Sequence, residues 1–344
     1  MPALQLGWNN SPLVSIIIPL YNRADLIQDT LDSVLSQTYS NWECIVVDDH
    51  SADHGAELVS HYCAKDSRFS LFIRPQARKK GANSCRNIGI HHSKGNYLIF
   101  LDADDILHPT CLELRVEKIQ VFPNLDFWVF ATELFNRKPG DMGVLLNVLT
   151  EEEDYLKRFL KMDILWLSTG PIWKKQTLTK LEGWDERLES WQDWDLSVRA
   201  LIRGGEFKYF GGVDNYWRTN IENNLGSSST SPKHLESHYY LLQKVKKELT
   251  DRGGIESEVS SSVSYLFFWL ARRWLKYNQL RQALKTISPR NVGWVNFLKF
   301  FPIVLLLRPK YIRILGIKYL ELSNDPSNSL FKASTFKKIK ANAR

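Results

Sequence analysis

Cysteine is scarce in this chain, with four in 344 residues and no Cys-x-x-Cys or Cys/His ligand spacing, which excludes a disulfide framework or a thiolate metal site. Cys44, Cys63, Cys85 and Cys111 read instead as small buried residues of a protein kept in a reducing compartment. Long apolar runs are also missing. Phe300 to Leu307 holds eight residues, against the roughly 20 that a membrane-spanning helix needs. Met1 to Ser11 lacks the charged-then-apolar build of a secretory leader, so a cytoplasmic location is expected. No internal repeat is visible. Acidic residues are scarce in one part only: residues 232–344 carry 7 Asp+Glu against 21 Lys+Arg, whereas residues 1–231 carry 31 against 24. A net +14 tail behind a net −7 body predicts two functional regions.

Short apolar runs followed by acidic clusters dominate the body. Cys44 to Val47 leads into Asp48-Asp49, and Tyr97 to Leu101 leads into Asp102-Ala103-Asp104-Asp105. Such runs suit strands buried on both faces, and ligands of open α/β sheets bind outside the carboxyl ends of their strands. Carboxylates gathered in one cleft repel unless a cation lies between them, and Mg²⁺ held by one or two carboxylates plus phosphate oxygens fits. Leu13 to Pro19 predicts a first strand, and Asn22 the cap of a helix from Arg23 to about Gln37. A helix from Ser51 or Asp53 to Lys65, a strand Phe69 to Ile73, a basic loop Arg74 to Lys80 and a helix Gly81 to His92 follow. This β-α alternation predicts an α/β fold with a mostly parallel sheet. Strands are also expected at 126–133, 164–173 and 206–214, with helices at 192–203, 234–250 and 255–277. Gly226 to Pro232 marks a boundary. The expected domains are a tail at 1–12, a catalytic domain at 13–225 and a basic, mainly helical region at 226–344.

Val14-Ser-Ile-Ile-Ile-Pro-Leu-Tyr-Asn22, Leu35-Ser-Gln-Thr-Tyr39 and Val46-Val-Asp-Asp-His-Ser51 open an ordered series of landmarks. Gly81-Ala-Asn-Ser-Cys-Arg-Asn-Ile-Gly89, Leu101-Asp-Ala-Asp-Asp105, Gly183-Trp-Asp-Glu186 and Trp191-Gln-Asp-Trp-Asp-Leu196 continue it. The series resembles family 2 glycosyltransferases of the GT-A, Rossmann-like fold over roughly residues 13–225. The resemblance implies a nucleoside-diphosphate sugar donor with Mn²⁺ or Mg²⁺. It puts Tyr21 and Asp49 at the donor base, with Pro19 in the same pocket, and Arg86 at the diphosphate. Asp104 becomes the direct metal ligand, and Asp102 meets the metal through water or meets the ribose. The plainer reading of Asp48 and Asp49 is turn and capping, and that of Arg86 is a surface arginine. Asp105 is expected to start the helix near Pro109.

The same resemblance makes Asp193 the general base that takes the acceptor hydroxyl's proton in a single, inverting displacement. Gln192 stands where many members have Glu. Asp193 also suits a helix N-terminus on dipole grounds, and Asp195 is expected to hold that helix. Trp191 and Gln192 are assigned to the acceptor, since sugar C–H faces stack on aromatic planes, while most of the tryptophans between 166 and 217 read as core. Arg218 matches a Tyr-x-Arg-like feature before a lid-like loop at 223–231, and His234 and His238 are left without a role. The acceptor implied is a glycan or a lipid-linked sugar. The basic tail, with Arg272-Arg273, Lys337-Lys338 and Lys340, fits either an anionic membrane surface on the inner face or a solvated packing appendage; no nucleic-acid module is present. Two rivals stand beside the transferase: phosphotransfer with Asp102 as nucleophile and Asp104 as helper, and a non-catalytic sugar-nucleotide-binding module.

Overall fold

The computed structural model describes residues 11–150, 154–219, 231–252 and 257–306, together with the backbone of 337–338. Of the predicted loop at 223–231, residues 223–230 lie outside the described residues, as does Lys340. In chain order the first elements are β1 (Val14–Leu20), α1 (Ile27–Leu35), β2 (Trp42–Asp48), α2 (Gly55–Lys65), β3 (Phe69–Ile73), α3 (Ala82–His92) and β4 (Tyr97–Phe100). Next come β5 (Ile106–Leu107), α4 (Cys111–Val121), β6 (Phe127–Phe135), β7 (Val144–Leu145), α5 (Tyr155–Leu160), β8 (Pro171–Lys174) and α6 (Lys175–Lys180). The remainder is α7 (Gln192–Ile202), β9 (Phe207–Arg218), α8 (Pro232–Asp251), α9 (Ser257–Lys276), α10 (Leu280–Thr286), α11 (Pro289–Leu306) and the bridge β10 (Lys337–Lys338). The chain divides into two compact units interleaved along the sequence: one of residues 1–142, 168–184 and 206–218, the other of 143–167, 185–205 and 219–344.

The first unit is built on a sheet of order β6-β8-β4-β1-β2-β3, in which β3, β2, β1 and β4 are parallel. Strand β8 runs antiparallel to both β4 and β6, and β9 pairs parallel with β6 and antiparallel with β5. The sheet is thus mixed beyond β4, because β8 enters between two strands that run against it. Strand β1 is buried on both faces. Its even residues Val14, Ile16, Ile18 and Leu20 join a core with Ile27, Leu31 and Val34 of α1, Val59 of α2 and Leu112, Val116 and Ile119 of α4. On the other face, Ile45 and Val47 of β2 pack with Cys85 and Ile88 of α3. Gly89 is what lets α3 lie so close: a Cβ there would stand 2.3 Å from Ile17 Cγ2.

Pro19 sits inside β1 without disturbing it. Ile17, of the same parity, accepts the Leu101 N–H on the β4 side, so the N–H that proline lacks would also point that way. The β1–β4 pairing ends at Ile17, and no ladder bond is lost. Helix α1 starts at Ile27 rather than Arg23, because Asn22 turns left-handed, with φ at 49°. Its amide binds Ser51 Oγ at 3.0 Å and its Oδ1 accepts the Ala52 N–H at 2.8 Å. Asn22 therefore ties the ends of β1 and β2 together instead of capping a helix.

The second unit is largely helical in its described residues. Trp166 donates to Ser197 Oγ at 2.9 Å and Trp194 donates to the Phe159 carbonyl at 2.8 Å, pinning α7 to the 155–166 segment. Between 164 and 173 the backbone is strand only from Pro171. Trp166 and Trp194 here, and Trp173 and Trp184 of the first unit, are buried core, as expected of most tryptophans between 166 and 217.

Candidate active site

In the first unit, the carboxyl ends of β1, β2 and β4 bring together most of the residues singled out for a donor. Asp48 is a turn residue, accepting Ser51 N–H and Oγ–H at 3.2 and 2.5 Å. Asp49 is buried and clips the loop that follows β3: Arg74 Nε donates to one oxygen and the Gly81 N–H to the other at 2.9 Å. A carboxylate oxygen accepts more than one hydrogen bond, so these contacts position Asp49 without saturating it. Tyr21 is exposed, and Lys80 Nζ stands 3.9 Å above its ring.

Beyond β4, Asp102 and Asp104 each face an arginine. Arg86 Nη2 reaches Asp102 Oδ1 at 2.6 Å, and Arg23 Nε reaches Asp104 Oδ2 at 3.0 Å. Arg86 is no surface arginine: it is buried and lies over Trp184 at 4.5 Å. Burial first, and then the Asp102 charge, push the Asp104 carboxyl above the usual carboxylate range, against the pull of Arg23. Asp105 is pushed well up in the same way, by burial and by both neighbours. It does not start a helix. Its Oδ1 accepts the Arg218 N–H at 3.0 Å and its carbonyl accepts Thr30 Oγ1–H at 2.8 Å, which locks the end of β9 to the acidic loop. Arg218 adds Nε to the Asp104 carbonyl at 2.9 Å and Nη2 to Asp29 at 2.9 Å.

The donor set fits a hard divalent cation. Two carboxylates whose proximity raises Asp104 favour an added positive charge, and one or two carboxylates are what Mg²⁺-type sites take from protein. Among the described residues no group of three or more His, Cys, Asp or Glu gathers to hold a metal, so Asp102 and Asp104 would hold a cation only together with phosphate oxygens or water. Sequence reasoning passed over Arg23 and Arg74. Arg23 follows Tyr-Asn directly and Arg74 opens the basic loop, but only the fold shows which carboxylate each one meets.

Trp191, Gln192 and Asp193 belong to the second unit. Trp191 takes a left-handed conformation, φ 64° and ψ 28°, and caps α7. Its ring stacks on His238 at 3.9 Å and lies 5.2 Å from Trp269. Asp193 and Gln192 stand half-buried in the first turn. Asp195 is fully buried, held by Arg199 Nη2 at 2.7 Å and Lys244 Nζ at 3.0 Å, and so anchors the helix as expected. His238 donates to or accepts from Ser190 Oγ at 2.7 Å. Burial, aided by His234 and Arg273, lowers its pKa to about 3.

Residues 15–166 match the model of Glycosyl transferase family 2. Over that segment, 152 of 344 residues, the chain is similar to the family 2 glycosyltransferases. Among its relatives is the UDP-Glc:alpha-D-GlcNAc-diphosphoundecaprenol beta-1,3-glucosyltransferase WfgD of Escherichia coli, 38% identical over 36% of this chain and 47% of that protein. An uncharacterized glycosyltransferase of Rickettsia typhi is 32% identical over 56% of this chain and 59% of its own length. Across the curated relatives compared, the chain spans from 14% to 59% of their length. In fold it is similar to S. aureus TarS 1–349 in complex with UDP-GlcNAc, with a TM-score of 0.63 at 19% identity, covering 87% of this chain and 88% of that one. The mannosyltransferase PcManGT from Pyrobaculum calidifontis, in complex with GDP-Man and Mn²⁺, gives 0.54 at 16% identity over 90% and 84%. The GT-A-like α/β architecture expected from the motifs is therefore the one observed.

Proposed function

We propose that the chain is an inverting glycosyltransferase that moves a sugar from a nucleoside-diphosphate donor to a glycan or lipid-linked acceptor, acting as a peripheral protein on the inner face of a membrane. The observation that carries this reading is the pairing of Asp102 with Arg86 and of Asp104 with Arg23, beside Tyr21 and Asp49, at one end of the sheet. A diphosphate with a divalent cation matches that array: the cation meets the carboxylates and the phosphate oxygens meet the arginines. Family relatives support it, since one is named for a UDP-Glc donor and a diphosphoundecaprenol acceptor.

In this reading the acceptor hydroxyl attacks the anomeric carbon as the bond to the diphosphate oxygen breaks, which inverts that carbon. Asp193 takes the hydroxyl proton; one positioned base of this kind contributes about 10²- to 10⁴-fold. Arg86 and Arg23, already beside the acidic loop, share the charge that grows on the leaving diphosphate. A bound Mn²⁺ or Mg²⁺, held by Asp104 and Asp102, supplies Lewis-acid stabilisation of the same charge. Tyr21 stacks the base, with Pro19 and Asp49 shaping the pocket, and Trp191 and Gln192 orient the acceptor. Calorimetric titration with a panel of nucleoside-diphosphate sugars, with Mn²⁺ or with chelator, tests the reading. One donor should bind only with metal, and Asp193→Asn should keep that binding while losing turnover. A folded protein that binds no donor contradicts it.

A further inference from the structure

The outer face of α11 is apolar where a surface helix is normally polar. Gly293, at φ 76° and ψ 160°, breaks α11 and leaves a continuous helical run from Trp294 to Leu306. On its inner side Phe300 and Val304 are buried, and Phe300 stacks on Phe268 of α9 at 4.5 Å. At about 100° per residue, the opposite arc carries Trp294, Leu298, Pro302, Val295, Lys299 and Ile303 in angular order. Trp294 is 70% exposed, Val295 83%, Leu298 68% and Ile303 39%; Pro302 and Lys299 are exposed with them. A helix that is mainly apolar on its outer face as well as its inner one belongs in a core or against lipid, and among the described residues α11 has a core on its inner side.

Charge indicates what covers the other side. From Val259 to Leu320 the chain holds 11 Lys+Arg and no Asp or Glu. Two of these cations are near the patch in sequence: Arg290 is exposed four residues before Trp294, across the Gly293 break, and Lys299 stands on the exposed arc itself. An apolar strip with a tryptophan, fringed by cations and free of acid, complements an anionic lipid surface. A second copy of the chain would set the same cations against each other. Among the described residues no helix is long and apolar enough to cross a membrane, so α11 would lie in the interface.

We propose that the outer face of α11, centred on Trp294, Val295 and Leu298, docks on an anionic bilayer. The proposal deepens the reading of a lipid-linked acceptor and takes its purpose from it. It is tested by sedimenting the purified full chain, without donor, with phosphatidylcholine vesicles and with vesicles that also contain phosphatidylglycerol. The wild-type chain should sediment with the anionic vesicles, and more weakly at high salt. Trp294→Ser combined with Leu298→Ser should lower the partition coefficient at least about tenfold, and Arg290→Gln with Lys299→Gln roughly thirtyfold. Val295→Glu, at a site too exposed to threaten folding, should weaken binding in the same direction. A wild-type chain that stays in the supernatant with anionic vesicles overturns the proposal, as does a folded Val295→Glu chain that binds as tightly as wild type. A gel-filtration dimer dissolved by the Trp294/Leu298 substitutions, without vesicle binding, also overturns it and makes the face a self-association surface. Donor binding is measured without vesicles, so the two readings fail separately.

Discussion

Two sets of arginine–carboxylate pairs in the first unit use the same chemistry to opposite ends. Arg115 of α4 and Asp214 of β9 are fully enclosed, 0% and 1% exposed, with Nε and Nη2 donating to the two carboxylate oxygens at 2.7 and 2.8 Å. Asp214 also accepts from Asn215 at 2.8 Å. Nothing outside the protein can compete there. At the end of β4, Arg23 and Asp104 are 22% and 18% exposed and Asp102 is 35% exposed. These carboxylates are crowded by one another and accessible, so a cation can take an arginine's place at a carboxylate and a phosphate can take a carboxylate's place at an arginine. Enclosure makes a pair structural; accessibility is what the proposed donor site requires of the pairs beyond β4.

The largest effect should come from the enclosed pair. Arg115→Met leaves Asp214 buried without its partner and should cost about 3–5 kcal/mol, read by chemical denaturation. Adding Asp214→Leu should restore most of that loss, because removing both charges removes the desolvation penalty. If the double variant is no better than the single, the pair is more than an ion pair and the comparison breaks. At the accessible pair, Asp104→Asn should reduce metal-dependent donor affinity by about a hundredfold or more while changing stability by less than about 1 kcal/mol.

The second unit offers a pH test. His238 is neutral in the fold, with its pKa down at about 3 because burial disfavours the cation. Between that value and the ordinary histidine range the unfolded chain binds the extra proton, so stability is full at neutral pH and falls as pH drops below about 6.5. By pH 5 the loss attributable to His238 should be about 2 kcal/mol. His238→Phe, which keeps a ring beside Trp191, should abolish that part of the pH dependence of the melting temperature. At Gly89→Ala the Ile17 contact should cost about 1–3 kcal/mol by overpacking, seen as a lower melting temperature.

Much of the first unit was legible because its strands are short apolar runs, with β2 and β4 leading into the Asp48-Asp49 and Asp102–Asp105 clusters. Strand β3 falls on Phe69–Ile73 as its sequence predicts, and α3 and α7 lie within a residue of expectation. What escaped was long-range. Asn22 reads locally as a cap, but its backbone N–H donates to Ser51 and its side-chain oxygen accepts from Ala52, residues that follow a different strand. Asp105 reads as a helix starter, but the Arg218 amide reaches it across 113 residues of sequence. The antiparallel entry of β8 is invisible because Pro171 to Lys174 is too short to carry a pattern. The donor-side residues were legible through their motifs. Their arginine partners were not, since a lone arginine in a loop carries no record of the carboxylate it will meet.

The most direct measurement is calorimetric titration of one accepted nucleoside-diphosphate sugar, with Mn²⁺ and with chelator, into the wild-type chain, Asp104→Asn and the Arg115→Met/Asp214→Leu double variant. Metal-dependent binding that is lost at Asp104→Asn and kept in the double variant is the predicted result. Binding that survives Asp104→Asn, or that chelator leaves unchanged, would contradict the assignment of the β4 carboxylates to a cation and the donor diphosphate.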